Sequence, residues 1–400
     1  MRIGLCGGTF DPLHIGHSQL VMSALENVPL DKVIVMPAGR PPHKLGEFVS
    51  MAGYRHEMAV QAFASCPDVE VSDLEILRPG RSYTLDTIIS LQENLAADDE
   101  LFLIYGSDIL YDIEKWHEPA GILARCPLLL ARRSGYDELQ STAKAEELRQ
   151  RFGARISFFA GPDLVLSSTQ IRQAVQDGQP YKQWLPDKVV KFVHKHSLYC
   201  YLDQLSDLDP QLWQELYELE RLIWPLLDKK RLLHSLNVMY YALHLAKIHG
   251  VSLEQAGKAA LLHDCAKCLP LPEMLQYASR AGDPSLLGDE LAHGPAGSWL
   301  CQEHFKISDP AILRSIHFHT TGCAGMTALD KIIFIADKVE PARTYQHLAE
   351  IRRLAEYDLD KSMAVCLSEI DCFLNREKLP SHPYTREASA DLSQHQKNLK

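Results

Sequence analysis

The sequence predicts two domains of different class, an α/β domain followed by an all-α domain. In residues 1–200, short apolar segments alternate with segments of helical periodicity, which is typical of parallel strands joined by crossover helices. From about residue 210 only helical periodicity remains. The 400 residues also exceed one ordinary domain of roughly 100–200 residues. We therefore expect a Rossmann-like, doubly wound parallel sheet and then a helical bundle.

Composition restricts the classes of function. The formal net charge of −11 disfavours general nucleic-acid binding, because such affinity rests on Lys and Arg meeting phosphates. No apolar run reaches the roughly 18 residues of a membrane span, and Met1 leads directly into a predicted strand. We expect a cytoplasmic protein with no membrane contact. The ten cysteines are scattered, which favours reduced thiols over a disulfide framework.

Six apolar segments are predicted as strands of the sheet. They are Arg2–Cys6, Lys32–Pro37, Asp68–Ile76, Glu100–Gly106, Cys126–Arg132 and Ala154–Gly161. In the second half, Gly250 and Pro270 are predicted to stop helices. We expect a first domain at 1–201, a linker at 202–211, a second domain at 212–376 and a polar tail at 377–400, with the last twenty or so residues disordered.

The segment "GGTFDPLHIGHSQLV", Gly7–Val21, lies between the first predicted strand and a predicted helix. Its glycines allow close approach of the backbone to a ligand, and a helix N-terminus favours an anion. If Pro12 begins the first helical turn, His14 and His17 share one face of the helix. The segment therefore predicts a phosphate site; a structural turn with surface histidines is the alternative.

A second helix start, "LSSTQIRQAV", follows at Leu166–Val175. Ser168 and Thr169 offer N-terminal oxygens, and Arg172 follows one turn later with a planar fork that suits phosphate oxygens. Two helix starts, two histidines and an arginine could surround a triphosphate. This pattern predicts nucleotidyl transfer, in which an acceptor phosphate attacks the α-phosphate of ATP, Mg²⁺ bridges the leaving phosphates, and positioning and charge stabilisation supply the catalysis.

These motifs resemble those of the bacterial nicotinate-nucleotide adenylyltransferases of the HxGH nucleotidyltransferase superfamily. Between the two signatures, "PPHK", "RSYTLDT", "GSD", "KWHE" and "ARRSGY" follow in the family's order, so the resemblance covers the first 200 or so residues. It implies ATP and nicotinate mononucleotide as substrates. Adenylylation of nicotinamide mononucleotide or of phosphopantetheine is the alternative.

The resemblance also implies roles for individual residues. It implies catalytic roles for His14, His17 and Arg172. It implies ATP contacts by Gly8, Thr9, Phe10, His14, His17, Gly106, Asp108, Arg133, Ser168, Thr169 and Arg172. It implies contacts with the pyridine nucleotide by Lys44, Tyr83, Thr84 and Trp116. The flat ring of Trp116 suits a pyridinium, although core packing would also explain it, and Asp108 could instead cap a helix.

The helices of the second half carry four histidines and two aspartates in separate motifs. They are His234, His263, Asp264, His293, His319 and Asp337. Helical bundles build metal sites from such scattered residues. His263 and Asp264 are adjacent, so on a helix they point about 100° apart, and the carboxylate could bridge two ions. Imidazole with carboxylate suits iron, manganese or zinc better than magnesium.

In this order, "LLHDCAK", "LAHGP", "HTTG" and "ADKVEP" resemble the HD superfamily of phosphohydrolases, and most closely the small bacterial proteins that split diadenosine tetraphosphate symmetrically with two irons. The resemblance, over about 190 residues, implies that the six residues bind metal and that Asp264 is catalytic. His317 is an alternative to His319 as the metal ligand from this motif. Lys267 and Arg343 are candidate phosphate contacts or solvated side chains.

Two bridged metals would activate a water and clamp the phosphate under attack, giving two ADP. The alternatives are another phosphate ester as substrate, or a non-catalytic module that binds a nucleotide and regulates the first half. The expected partners are therefore ATP, nicotinate mononucleotide and diadenosine tetraphosphate or a related nucleotide. The sequence leaves open whether the chain forms a homo-oligomer.

Overall fold

The computed structural model describes residues 1–42, 48–132, 138–162, 166–200, 205, 208–288 and 290–398. The chain forms two compact units, the first of Met1–His194 with Leu198–Cys200 and the second of Lys195–Ser197 with Tyr201–Lys400. Within the described residues, no helix is both long and apolar enough to cross a membrane.

The described strands of the first unit form one parallel sheet in the order β3-β2-β1-β4-β5-β6. They are β1 Arg2–Gly8, β2 Lys32–Pro37, β3 Val69–Val71, β4 Glu100–Gly106, β5 Leu128–Arg132 and β6 Ile156–Ala160. The direction of winding reverses between β1 and β4, and sheets of this class bind ligands beyond the carboxyl ends of the strands at such a point. The sheet confirms the predicted fold class of the first half.

Helices cover both faces of the sheet. They are α1 Ile15–Asn27, α2 Ala52–Phe63, α3 Leu74–Leu77, α4 Thr84–Gln92, α5 Pro119–Arg125, α6 Glu138–Phe152, α7 Ser168–Gln176 and α8 Asp187–Lys195. Alternate residues of a strand point to opposite faces, so β1 contributes Leu5 to one apolar core and Cys6 to the other. Because both faces of the sheet are buried, the strand sequences are continuous apolar runs.

In the first unit, one helix start that was assumed and one strand that was predicted differ from the structure. The helix after the first motif begins at Ile15 and not at Pro12, because the carbonyl of His14 accepts its first bonds, from the N–H groups of His17 at 2.9 Å and Ser18 at 3.2 Å. The segment 68–76 is not one strand, since β3 covers only Val69–Val71. The chain then closes a helical turn on the carbonyl of Asp73, which forms α3.

The second unit is helical in its described residues, as the sequence predicts. Its helices are α9 Pro210–Ile223, α10 Lys229–His249, α11 Leu253–Leu262, α12 Leu271–Arg280, α13 His293–Glu303, α14 Pro310–Phe318, α15 Ala328–Val339, α16 Leu348–Tyr357, α17 Leu359–Glu377 and α18 Pro383–Asn398. Gly250 ends α10 in the left-handed conformation, at φ 66°, which confirms the predicted stop.

The disorder predicted for the C-terminal end is wrong, because Pro383–Asn398 is a helix. Its Ala388 and Leu392 are only 1% and 6% exposed, and the hydroxyl of Thr385 donates to the carbonyl of Thr321 at 2.9 Å. Two apolar residues four positions apart are enough to bury one face of this helix. In such a polar segment, two apolar residues are too few to give a recognisable helical periodicity.

Arg55 of α2 is fully buried beside the loops that follow β1 and β2. Its Nε donates to the carbonyl of Ser50 at 2.7 Å, and its Nη1 and Nη2 donate to three further carbonyls. These belong to Thr9 at 3.0 Å, Ala38 at 2.5 Å and Gly39 at 3.0 Å. A single guanidinium therefore ties together three separate stretches of backbone, each of which would otherwise bury an unsatisfied carbonyl.

We expect Arg55→Met to lower the free energy of unfolding of the first unit by about 3 kcal/mol or more, because each buried carbonyl left without a donor costs roughly 1–3 kcal/mol. Guanidinium chloride unfolding of the full chain measures this. Arg55→Lys retains a cation but lacks the planar fork, so its free energy of unfolding should lie between those of the wild type and Arg55→Met. A first-unit transition at the wild-type denaturant concentration in Arg55→Met would contradict this role.

Candidate functional sites

The first candidate site begins at the turn between β1 and α1. The imidazole rings of His14 and His17 are stacked with centroids 3.7 Å apart, and Phe10 meets His17 edge-on at 5.0 Å. The backbone N–H of His14 donates to Nδ1 of His17 at 3.2 Å. In a neutral ring the proton of His17 then lies on Nε2, which makes that atom a hydrogen-bond donor suited to a phosphate oxygen.

The N-terminus of α7 lies against the same turn. The hydroxyl of Ser168 donates to the carbonyl of Pro12 at 3.0 Å, and Nη1 of Arg172 donates to the carbonyl of Asp11 at 2.7 Å. The second Nη of Arg172 reaches the hydroxyl of Thr169 at 3.3 Å. The structure thus brings together the two motifs that the sequence predicts to share a phosphate site, although some 150 residues separate them in the chain.

Asp11 and Tyr199 are two residues of this region to which sequence reasoning gave no role. The Asp11 carboxylate, 1% exposed, accepts the N–H of Ser50 at 3.0 Å and the hydroxyl of Tyr199 at 2.9 Å. Burial and this carboxylate hold the pKa of Tyr199 well above its usual range. Asp11 lies within the motif Gly7–Val21, and this position could have indicated a role for it. The sequence around Tyr199 contains no comparable motif.

A cavity of about 590 Å³ opens at the carboxyl ends of the central strands. Its walls include Gly8, Thr9, Tyr83, Thr84 and Trp116. The volume falls in the range of roughly 300–1,000 Å³ that is usual for small-molecule sites. The ring of Trp116 packs edge-on against Tyr105 at 5.4 Å between centroids, so it contributes both to the core and to the cavity wall.

The remaining candidate residues of the first half have different positions. Gly106 ends β4, next to β1 in the sheet, and Asp108 follows in the short 3₁₀ turn Ser107–Tyr111. Phe10 is buried, at 3% exposure, and has a positive φ of 53°. Lys44 and Arg133 lie outside the described residues, so the structure places neither of them.

In the second unit, the six predicted metal ligands converge from five different segments. His234 lies within α10 and Asp337 within α15, and His293 is the first residue of α13. His263 and His319 directly follow the last residues of α11 and α14. None of the six is more than 8% exposed. The His263–Asp264 pair therefore lies in a turn, not on a helix as the sequence suggested.

Asp264 is common to two groups of potential ligand atoms, one with His234 and His263 and the other with His293 and His319. Its Oδ2 lies 3.8 Å and 4.0 Å from Nε2 of His263 and His234. Its Oδ1 lies 3.4 Å and 3.5 Å from Nε2 of His293 and His319. Each carboxylate oxygen thus faces one pair of imidazoles.

The buried imidazoles fit transition-metal ions. Nδ1 of His263 and Nδ1 of His319 each lie 2.7 Å from a backbone carbonyl, those of Ala260 and Ile316. Protons on Nδ1 leave the Nε2 lone pairs directed into the site, as metal-binding histidines require. Within the described residues, Nε2 of His263 is buried with no hydrogen-bond partner, and burial lowers the pKa of His263 to about 4, so the ring is neutral. A buried lone pair of this kind suits a metal.

Asp337 and Glu340 complete one side of this site. Asp337 Oδ1 lies 2.9 Å from Nε2 of His234, and Glu340 Oε1 lies 3.3 Å from Nδ1 of the same ring. Burial opposes a charge on His234, but the hydrogen bonds with these carboxylates outweigh it and raise the pKa of His234 to about 9. Glu340, a residue that sequence reasoning missed, also accepts from Asn237 at 2.9 Å. The local field of the carboxylates therefore favours positive charge at His234.

Cationic side chains surround the same carboxylates. Nζ of Lys267 lies 3.0 Å from Nδ1 of His293, and Arg343 donates to Asp337 Oδ1 at 3.4 Å, so both candidate phosphate contacts lie at the site. Sequence reasoning missed two further cations. Arg231 donates to Asp264 Oδ2 at 3.2 Å, and Lys338 donates to Asp337 Oδ2 at 2.7 Å.

His317 lies away from this cluster. Its Nε2 is 3.5 Å from Oδ2 of Asp283, whose other neighbours include the hydroxyl of Tyr384 at 3.0 Å. His319, and not His317, has its Nε2 beside Asp264. The structure thus separates two histidines that the sequence alone left as competitors.

Comparisons with known proteins match each half to a different family. Residues 5–174 match the cytidylyltransferase-like family, and residues 231–342 match the HD domain. A "Probable nicotinate-nucleotide adenylyltransferase" of Desulfitobacterium hafniense is 40% identical over 198 residues, which are 50% of this chain and 95% of that protein. A protein of the same description from Thermoanaerobacter sp. is 36% identical over 199 residues, which are 50% of this chain and 94% of that protein.

A solved structure from Clostridium acetobutylicum, described as a predicted HD superfamily hydrolase involved in NAD metabolism, is 34% identical to this chain. The match covers 44% of this chain and 96% of that chain, with a TM-score of 0.43.

We expect the full chain to bind two equivalents of Mn²⁺ in the second unit, because Asp264 separates two groups of ligand atoms. Asp264→Ala should lose both ions after gel filtration, and His293→Ala should lose one. His317→Ala is the matched control, since this histidine contacts Asp283 and should leave both ions bound. Elemental analysis of the eluted protein measures the content. Two equivalents retained by Asp264→Ala would contradict the shared role of this carboxylate.

Proposed function

The chain belongs, through its first 200 or so residues, to the nicotinate-nucleotide adenylyltransferases, and we propose that it transfers the adenylyl group of ATP to nicotinate mononucleotide. The products are nicotinate adenine dinucleotide and pyrophosphate. The observation that carries this proposal is the joining of the α7 start to the turn of His14 and His17 through Ser168 and Arg172. The cavity beside this turn provides room for the acceptor.

The reaction forms one bond and breaks one bond at the α-phosphorus of ATP. A phosphate oxygen of the mononucleotide attacks, and the bond to the bridging oxygen of the β-phosphate breaks, so MgATP loses pyrophosphate. The nucleophile is already an anion, so the chain needs no nucleophilic side chain. His17, with its proton on Nε2, and Arg172 would stabilise the negative charge that shifts onto the leaving phosphates.

The acceptor would bind with its pyridine ring between Tyr83, Thr84 and Trp116. A pyridinium carries positive charge, which the face of an indole attracts. The choice of nicotinate over nicotinamide comes from the relatives' names, and phosphopantetheine is a related acceptor for the same chemistry. Pyrophosphate release with each of the three acceptors distinguishes them.

For the second half we propose hydrolysis of diadenosine tetraphosphate between its two central phosphates, which consumes one water and gives two ADP. The supporting observation is Asp264, with one oxygen towards each pair of imidazoles. Two ions of iron, or of manganese or zinc, would supply the Lewis acid and activate the water. Around them, Arg231, Lys267 and Arg343 would bind and orient the negative phosphates. A nucleotide-binding regulatory module is the rival function.

We expect His14→Ala and His17→Ala each to lower kcat for adenylyl transfer by about 10²–10³, the usual cost of removing a donor that stabilises developing charge. Pyrophosphate release with ATP and nicotinate mononucleotide measures this. Thermal unfolding of the first unit is the control for folding, and hydrolysis of diadenosine tetraphosphate by the second unit of the same preparations should stay at the wild-type rate. A wild-type rate of adenylyl transfer in both variants would refute the proposed site.

We expect the iron- or manganese-loaded full chain to convert diadenosine tetraphosphate into two ADP. His263→Ala and Asp264→Ala should lose this activity, whereas the control His317→Ala should retain it. Separation of the nucleotide products by ion-exchange chromatography measures the outcome. ATP with AMP as products would contradict symmetrical cleavage, and no turnover by metal-loaded protein would favour another phosphate ester or the regulatory function.

A further inference from the structure

Glu75 is a buried carboxylate in the cavity wall that the proposed reaction leaves without a role. It belongs to α3, directly after the strand β3, and its side chain is only 8% exposed. It lines the same cavity as Tyr83, Thr84 and Trp116. A carboxylate buried in an apolar wall costs free energy unless hydrogen bonds satisfy it, so its partners indicate what it does there.

The partners of Glu75 lie on both sides of Tyr83 and Thr84. Its Oε1 accepts from the hydroxyl of Thr87 at 2.6 Å. Burial raises the pKa of Glu75, and the neighbouring hydroxyl groups of Thr87 and Ser82 oppose that rise. Ser82 precedes the pair Tyr83–Thr84, and Thr87 follows it by one helical turn. One carboxylate therefore lies beside both ends of the segment that carries the proposed pyridine contacts, and it accepts a hydrogen bond at the Thr87 end.

A second set of contacts extends from these two hydroxyl groups. Arg78 Nη2 donates to Oγ1 of Thr87 at 2.8 Å and to the carbonyl of Tyr83 at 3.3 Å. The hydroxyl of Ser82 accepts the N–H of Arg40 at 3.1 Å, and the N–H of Ser82 donates to the carbonyl of Arg40 at 3.0 Å. Each hydroxyl thus receives one hydrogen bond and can donate its own proton to Glu75.

We propose that Glu75 is a positioning residue for the acceptor substrate: by accepting from Ser82 and Thr87 it holds Tyr83 and Thr84 in the cavity wall. This inference rests on the proposed adenylyl transfer to nicotinate mononucleotide. The contacts of Glu75 lie in the pyridine side of the site, whereas Ser168 and Arg172 contact Pro12 and Asp11. Glu75 therefore sets the KM for the mononucleotide and leaves the KM for ATP unchanged.

The test uses the full chain and the variant Glu75→Gln. Glutamine keeps the shape but replaces one acceptor oxygen by an NH₂ donor, so Ser82 and Thr87 cannot both donate to it. We expect the KM for nicotinate mononucleotide to rise about tenfold, as for the loss of one hydrogen bond to a charged group. The KM for ATP and the kcat at saturating mononucleotide should stay within about twofold of wild type.

Thr87→Val and Thr87→Ser form a second, matched pair that keeps the carboxylate in place. Valine removes the donor at nearly constant shape, so Thr87→Val should raise the KM for the mononucleotide in the same way. Serine retains the hydroxyl, so Thr87→Ser should keep the wild-type KM. This pair decides the question if Glu75→Gln does not fold, which thermal unfolding of the first unit reveals.

Two results would overturn the inference. One is an unchanged KM for the mononucleotide in folded Glu75→Gln and in Thr87→Val. The other is a rise in the KM of ATP by the same factor as that of the mononucleotide, which would show a general structural role. If wild-type protein releases no pyrophosphate with nicotinate mononucleotide, the proposed function itself fails, so the two failures are distinguishable.

Discussion

The candidate metal site of the second unit depends on one carboxylate, Asp264, that lies between two pairs of buried imidazoles. Nε2 of His293 and Nε2 of His319 are 3.1 Å apart, so two lone pairs would repel unless a proton or a cation lies between or beside them. The carboxylate attracts that positive charge, and its two oxygens divide it between the pairs. Helix ends, a turn and a long helix therefore meet at a group of charged and titratable side chains inside an otherwise apolar unit.

In the first unit, the buried guanidinium of Arg55 has a corresponding role, since it binds carbonyl groups from three separate stretches of backbone. The sequence did not reveal it, nor Glu75 or Tyr199. Each of these residues acts through partners elsewhere in the chain or through a buried face. From the sequence alone, a single charged residue in a helix is usually interpreted as solvent-exposed. Motif residues such as His17 and Arg172 were identified because their neighbours repeat a recognisable pattern.

The fold itself was largely predictable, because strands buried on both faces must be apolar throughout. Lys32–Pro37 and Glu100–Gly106 have the same bounds in the structure as in the sequence analysis. Boundaries failed where polar contacts outweigh periodicity. The carbonyl of His14 starts α1, the turn on Asp73 ends β3 early, and a few buried residues hold the helix Pro383–Asn398 in a polar segment.

The central claim is that Asp264 is shared by two metal ions, and anomalous diffraction at the manganese edge tests it most directly. Crystals of the full chain grown with Mn²⁺ should show two separate peaks. One should lie beside His234 and His263 and the other beside His293 and His319, with an oxygen of Asp264 against each. A single peak, or two peaks of which one does not contact Asp264, would contradict the account.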